Sequence, residues 1–278
     1  MVCIELLDRF RDVACRRDSE IDLTRAALVI AAAEYPELDI DAYARRIAEL
    51  GRLAEAHLRG AGSDRERAFE LIRFLFVDQR FTGNQQRYDD PRNSYLNDVL
   101  DRKLGIPITL ALVYMLVGRY VGLDVVGVGF PGHFLAKVVG AKEDIIVDAF
   151  SGTVLTRDAC RERLRALMGG AASLELEQHL RAATSREILK RMLTNLKIVA
   201  IRARDHERAL AWCERIALLT PDDPLELRDR GLVYEQMGAF GAAIRDFERF
   251  LELAPDDPSA RAIELRTARL HDRVQRLH

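Results

Sequence analysis

Apolar residues recur at intervals of three to four through both ends of the chain, and the two ends flank a stretch with a different rhythm. In residues 2–16, Ile4, Leu6, Leu7, Phe10, Val13 and Ala14 fall at helical spacing, and in 22–34 Leu23, Ala26, Ala27, Ile30 and Ala31 do the same. A third helix is expected over 41–59, capped by Asp39 or Asp41, with Tyr43, Ile47, Leu50, Ala54 and Leu58 as its buried stripe. A fourth, over 64–78, follows Ser63 or Asp64 and turns Phe69, Ile72, Phe76 and Val77 inward. Periodicity then stops. Residues 79–97 are rich in Asn, Gln, Asp, Gly and Pro, which predicts a loop. Loops of this length inside a domain are more often functional than connective. Two readings stand for it: a surface loop satisfied by its own hydrogen bonds, or the wall of a cleft lined by Asn84, Tyr88, Asn93 and Tyr95. A short helix over 95–103, capped by Ser94 or Asn93, leads to Gly105.

The rhythm changes again at 106–121, an apolar run whose one charge is Arg119. Pro107 sits where a helix tolerates proline best, because the missing N–H would have no intrahelical partner, and Gly122 ends the run. Three short runs dense in Val, Ile and Phe follow, at about 124–130, 134–139 and 145–150, separated by turn residues. A buried helix feeding a small sheet is the expectation, with His133 and Asp148 at strand edges. Helices are expected again over 157–168 and 173–182, with Gly169, Gly170, Ala171 and Ala172 as a linker between them.

The tail repeats itself. T-P-D-D-P at 220–224 recurs as A-P-D-D-P at 254–258, a shift of 34 residues that also pairs Ala209 with Ala243 and Cys213 with Phe247. That period is the one of the tetratricopeptide repeat, a helix–turn–helix unit. The second copy fits it through Gly231, Tyr234, Gly238, Ala243, Phe247 and Pro255, whereas in the first Lys197, Ala200 and Arg204 replace the glycines and the tyrosine, so only its second helix and proline match. A last helix over 259–277, with Ile263, Leu270, Val274 and Leu277 inward, reads as a cap. Two repeats are fewer than the three or so that stand alone, so they should lean on the first domain or on a partner.

Composition narrows the function classes. A formal net charge of −2 supplies no basic field for nucleic acid or for an anionic membrane. No uncharged apolar segment reaches the ~18 residues that a membrane span needs, and Glu5, Asp8 and Asp12 interrupt anything resembling a signal peptide, so the expectation is a soluble cytoplasmic protein. Cys3, Cys15, Cys160 and Cys213 are too scattered for a zinc knuckle or a C-x-x-C pair. One histidine and one carboxylate make a poor metal site, and G-V-G-F-P-G at 127–132 lies between strands, so no metal and no cofactor are expected.

The Gly105–Phe150 stretch resembles the transglutaminase-like core, a relative of the papain-type fold. In that family a cysteine opens the buried helix, and a histidine and an aspartate follow on successive strands. The thiolate is stabilised at the helix N-terminus, the imidazole takes its proton and the carboxylate orients the ring. Gly105, Leu110–Ala111, Gly122, His133 and Asp148 match that pattern, and the register puts Pro107 at the nucleophile position. Thr109 is the nearest hydroxyl, but two helical residues amount to a rotation of about 200°, away from where the sulfur would sit. The blocks E-Y-P-E-L-D at 34–39, N-S-Y-L at 93–96, G-I-P-I-T-L at 105–110 and P-G-H-F at 131–134 together resemble a bacterial family. That family joins a cysteine-less transglutaminase-like core to C-terminal tetratricopeptide repeats, and it is named after an invasion-gene regulatory locus.

The resemblance implies an α+β protein in which an N-terminal helical region packs on a helix-plus-small-antiparallel-sheet core, followed by an all-α repeat tail. The expected domains are 1–182, with the core at about 64–156, and 183–278. Functionally it implies a non-catalytic scaffold: His133 and Asp148 as a retained pair, Asn84, Tyr88, Asn93, Tyr95 and Pro107 lining a cleft, and Tyr234 and Arg245 on a repeat surface that binds a protein or peptide. The alternative is an amide or ester hydrolase, or an acyl transferase, with His133–Asp148 as general base acting on water or on Thr109.

Overall fold

The computed structural model describes residues 2–141, 143–168 and 176–276, and the side chains from Leu7 onward. The chain divides into two compact units, Met1–Met192 and Leu193–His278, whereas the sequence reading drew the line at 182/183. The Gly169–Ala172 linker, the start of the helix expected at 173, Leu277 and the side chains of Ile4 and Leu6 lie outside the described residues.

The first unit is α+β. Helices α1 (Val2–Ala14), α2 (Leu23–Ala32), α3 (Ile40–His57) and α4 (Asp64–Ile72) open it. Asp39 caps α3 by accepting from the Ala42 N–H at 2.9 Å, and Ser63 with Glu66 forms a reciprocal capping box on α4. After Ile72 the backbone widens into a π-helical turn, Arg73–Asp78. Of the expected inward set Phe69, Ile72, Phe76 and Val77, Ile72 is buried and the other three are corrected. Ala68, Leu71, Phe74 and Leu75 are buried instead, and Phe69 and Val77 are exposed. The wider turn shifts the phase of the side chains after Ile72, whereas Phe69 precedes it and lies on the outer face of α4.

The organising helix is α6 (Pro107–Tyr120), with Pro107 in its first turn and Gly122, at φ +79°, just past its end. It is apolar all round because it is covered all round, by α3 on one side and the sheet on another. Gly51 of α3 lets the Tyr120 ring approach so closely that a Cβ there would fall 2.3 Å from it. The sheet runs β3 (Val125–Val128), β4 (Leu135–Val138), β5 (Ile145–Asp148) and β6 (Thr153–Leu155), antiparallel and in sequence order. The sequence reading had the first three strands and lacked β6. A tiny parallel pair, β1 (Thr82–Gly83) with β2 (Leu104–Gly105), ties the 79–97 loop to the entrance of α6. Helix α5 (Leu96–Arg102) precedes β2, and its N-cap is Tyr95 rather than Ser94 or Asn93. Helices α7 (Arg157–Met168) and α8 (Leu176–His179) follow the sheet, and Cys160 and Leu164 of α7 close an apolar cluster with Val128, Phe130, Leu135 and Ile146.

In the second unit α10 (His206–Leu219), α11 (Pro224–Gln236), α12 (Phe240–Leu253) and α13 (Ala260–Gln275) form the repeat layer together with the end of α9 (Ser185–Arg202). Pro224 lies in the first turn of α11 and Asp223 caps it, so the first P-D-D-P is a helix start; after the second, α13 begins only at Ala260. The Phe247 ring lies so close to Gly231 that a Cβ there would be 2.5 Å from it. The first repeat reverses this arrangement. Lys197 stands at the glycine position and small Cys213 at the phenylalanine position, and buried Lys197 reaches Glu226 at 2.6 Å and Asp229 at 2.8 Å.

Candidate functional site

The turn before β4 and the last residue of β5 carry the two chemically distinctive side chains to one sheet end. A Pro131–Gly132 turn, with Gly132 at φ +68°, delivers His133, whose backbone N–H donates to the Phe130 carbonyl. Asp148 is the last residue of β5, and only 4% of its side chain is exposed. Its Oδ1 accepts from His133 Nε2 at 2.8 Å and from the Phe150 N–H at 3.1 Å, and its Oδ2 accepts from Arg163 Nη1 of α7 at 3.1 Å. Burial alone would raise this carboxyl; the hydrogen bonds and charges of His133 and Arg163 overcome it and hold Asp148 well below the usual carboxylate range.

An ionised acceptor at Oδ1 requires the proton to sit on Nε2, so the neutral ring carries its lone pair on Nδ1. Nδ1 makes no hydrogen bond among the described residues. The ring borders an open groove of about 260 Å³ walled by Phe130, Pro131, Gly132, Arg163 and Leu167. On its other side it meets Phe150 edge-on at 6.2 Å. Phe150 in turn touches Tyr88 at 6.0 Å and packs on Gly83, the residue paired with Gly105 at the entrance of α6.

Pro107 is buried in the first turn of α6 and offers no nucleophile. Thr109 requires a correction. It is fully buried, and its hydroxyl donates to the Asn93 carbonyl at 2.7 Å while accepting from the Ile106 N–H at 3.1 Å. A hydroxyl spent on two backbone groups pins the helix start and has no face toward substrate. The cleft-lining set also separates. Asn84, Asn93 and Tyr95 are buried, with Asn84 Nδ2 donating to Asn93 Oδ1 at 3.0 Å and Asn93 Nδ2 donating to the Arg87 carbonyl at 2.7 Å. They brace the loop from inside, and Tyr88 alone of the four is exposed. In the repeat unit Arg245 is exposed, whereas Tyr234 packs partly buried against the Ala243–Phe247–Phe250 cluster.

Cys160, the thiol nearest in sequence to the pair, is fully buried in the α7 cluster, and burial pushes its thiol up, so it stays protonated. Arg163 and Phe150 were missed by sequence reasoning. Phe150 stands two residues past Asp148 and proximity could have flagged it; Arg163 is one arginine of R-E-R-L-R and carries no sequence signal for its target. Among the described residues no cluster of three or more His, Cys, Asp or Glu is arranged to hold a metal ion, and no helix is long and apolar enough to cross a membrane.

A family model described as transglutaminase-like superfamily matches residues 41–194, and one for the tetratricopeptide repeat matches 196–268. A UPF0162 protein of Xylella fastidiosa is 37% identical over 90% of both chains. The chain belongs to the UPF0162 and SirB1 family of transglutaminase-like proteins. A UPF0162 protein of Vibrio cholerae is 30% identical over 95% of this chain and 98% of its own. Protein SirB1 of Salmonella typhimurium is 26% identical over 76% and 78%. This member of the family therefore carries a transglutaminase-like core with the histidine–aspartate pair joined and a proline at the helix entrance, followed by tetratricopeptide repeats.

Proposed function

We propose that the protein is a pseudoenzyme scaffold: the groove beside His133 holds a ligand without covalent chemistry, and the tetratricopeptide unit holds a protein or peptide partner. The observation that carries this reading is Pro107 in the first turn of α6, where the fold's chemistry calls for a thiol and the chain supplies an imino acid. Thr109 cannot substitute while its hydroxyl is bound at both Asn93 and Ile106. Tetratricopeptide units bind partners through side chains on exposed helix faces, and Arg245 stands on such a face of α12. The test pairs two variants of the whole chain. Arg245→Glu should abolish capture of the protein partner while His133→Ala leaves it intact, and a panel of amides and esters should show no turnover. Turnover that His133→Ala removes would overturn the reading.

A second reading rests on His133, whose ring lines a groove and whose bond to Asp148 leaves the lone pair on Nδ1. Such a ring can take a proton from water as the water attacks an amide or ester carbonyl, and then return it to the departing amine or alcohol. Removing a general base costs on the order of 10²- to 10⁴-fold in rate, so the same panel distinguishes the two readings.

A further inference from the structure

A second groove, of about 600 Å³, lies between the α2–α3 connection and α5, and nothing in the transglutaminase-like chemistry uses it. The E-Y-P-E-L-D block supplies Glu34, Tyr35, Glu37 and Asp39 to one wall, and Asn97, Asp98 and Asp101 come from α5. Five carboxylates line it and no basic residue does. Arginines approach from outside: Arg46 pairs with Asp101, Arg45 comes within 3.9 Å of Asp39, and the charge of Arg92 reaches Tyr35. Much acceptor capacity is left over. The Tyr35 hydroxyl donates to Asp98 Oδ2 at 2.6 Å, which leaves Asp98 Oδ1 without a hydrogen bond among the described residues, and the Glu37 carboxylate has none there either.

The second, independent sign of a ligand is Asn97. It is 5% exposed, it lines the groove, and its Oδ1 is buried with no hydrogen-bond partner among the described residues. An acceptor left in that state destabilises the fold, so its presence needs a reason. A half-turn about χ2 exchanges the amide oxygen and nitrogen at almost no change of shape, which is the motion that would bring the oxygen to a donor entering the groove. The carboxylates do not converge as metal ligands do; they are spread along the wall, which suits donors on an extended ligand. The protein supplies its own example of the contact. Arg46 lays its guanidinium over the Tyr43 ring, 4.9 Å from the centroid, while bonding Asp101 at the groove's end.

We propose that this acidic groove binds an arginine-bearing segment of a partner protein, with a guanidinium received by Asn97 Oδ1, Asp98 and Glu37. The site is separate from the His133 groove and stands whether or not that groove is catalytic. Planar guanidinium, which can fork between two acceptors and stack on tyrosine, fits better than ammonium.

The test uses the whole chain and a fluorescein-labelled peptide of alternating glycine and arginine, read by anisotropy at physiological salt. Saturable binding is expected, weakened about tenfold or more by Glu37→Gln with Asp98→Asn, since each lost charge-assisted contact is worth about that factor. Glu55→Gln with Glu207→Gln removes the same charge from exposed positions elsewhere and should change affinity less than about twofold. Asn97→Leu should weaken the peptide while raising the thermal midpoint, because it removes the orphaned oxygen. Should Asp98→Asn fail to fold, Glu37→Gln alone, at an exposed side chain, carries the comparison. Equal loss with the distant pair, no loss with Asn97→Leu, or equally tight binding of a matching peptide of alternating glycine and lysine or of spermine would overturn the proposal.

Discussion

Replacing Asp148 with asparagine changes one atom of a side chain that the sheet end depends on. Asparagine keeps an oxygen for His133 and for the Phe150 N–H, but sets an NH2 group against Arg163 Nη1, donor to donor. The His133 bond drops from charge-assisted to neutral, a loss of about 1 kcal/mol. The Arg163 pair adds only ~0–1 kcal/mol, because its guanidinium end is 40% exposed and solvent screens it. The donor conflict contributes about another 1 kcal/mol, for a total of about 2–3 kcal/mol. Hydrogen exchange of the β4 and β5 amides reads this locally, and a loss of that size is at least about a 30-fold drop in protection at pH 7. The pH dependence has a definite sign. Asp148 is held below its unfolded value, so its ionised form stabilises the fold above about pH 4, and that contribution is lost as pH falls through the depressed folded value. The gap between wild type and Asp148→Asn should therefore narrow steadily below about pH 4. Equal protection at pH 7, or a gap unchanged at pH 2.5, would refute the claim that the carboxylate is held ionised by His133 and Arg163.

Thr109→Val keeps the side-chain shape and removes the bonds to Asn93 and Ile106, so urea unfolding should show a loss of about 1–3 kcal/mol with no effect on any reactivity of the protein. Gly231→Ala places a Cβ against Phe247 and should cost about 1–3 kcal/mol through overpacking, as followed by thermal melting. Gly238→Ala meets nothing but sits at φ +76°, so its smaller cost of about 1 kcal/mol comes from the backbone alone.

Spacing carried most of the fold. The apolar run at 106–121, with Arg119 as its one charge, reads as a covered helix, and a 34-residue echo of P-D-D-P is hard to produce without a helical repeat. The Nε2–Oδ1 bond of His133 to Asp148 followed from the family pattern, since two residues fifteen apart meet only if two strands pair. What stayed hidden depended on tertiary context. The π-turn at 73–78 has no sequence signature, and it turned Phe74 and Leu75 inward in place of Phe76 and Val77. Asn84 and Asn93 looked like cleft residues because polar loop side chains usually face water; here they serve buried backbone and each other. Arg163 was invisible because nothing in R-E-R-L-R tells which arginine meets a strand end. Lys197 read as a departure from the repeat, yet with Cys213 it inverts the large-and-small packing of Gly231 and Phe247 and brings its own counter-charges.

The most direct measurement puts back the missing atom. In a chain with Cys3 and Cys15 changed to serine, Pro107→Cys would place sulfur at the first turn of α6, while the thiols of Cys160 and Cys213, pushed up by desolvation, the latter to about 12, stay protonated. Iodoacetamide alkylation followed from pH 5 to 9 should reveal a thiol titrating below the ordinary ~8.5, and His133→Ala in the same chain should return it toward that value. A profile that the loss of His133 leaves unchanged would mean that the imidazole and the helix entrance do not belong to one site.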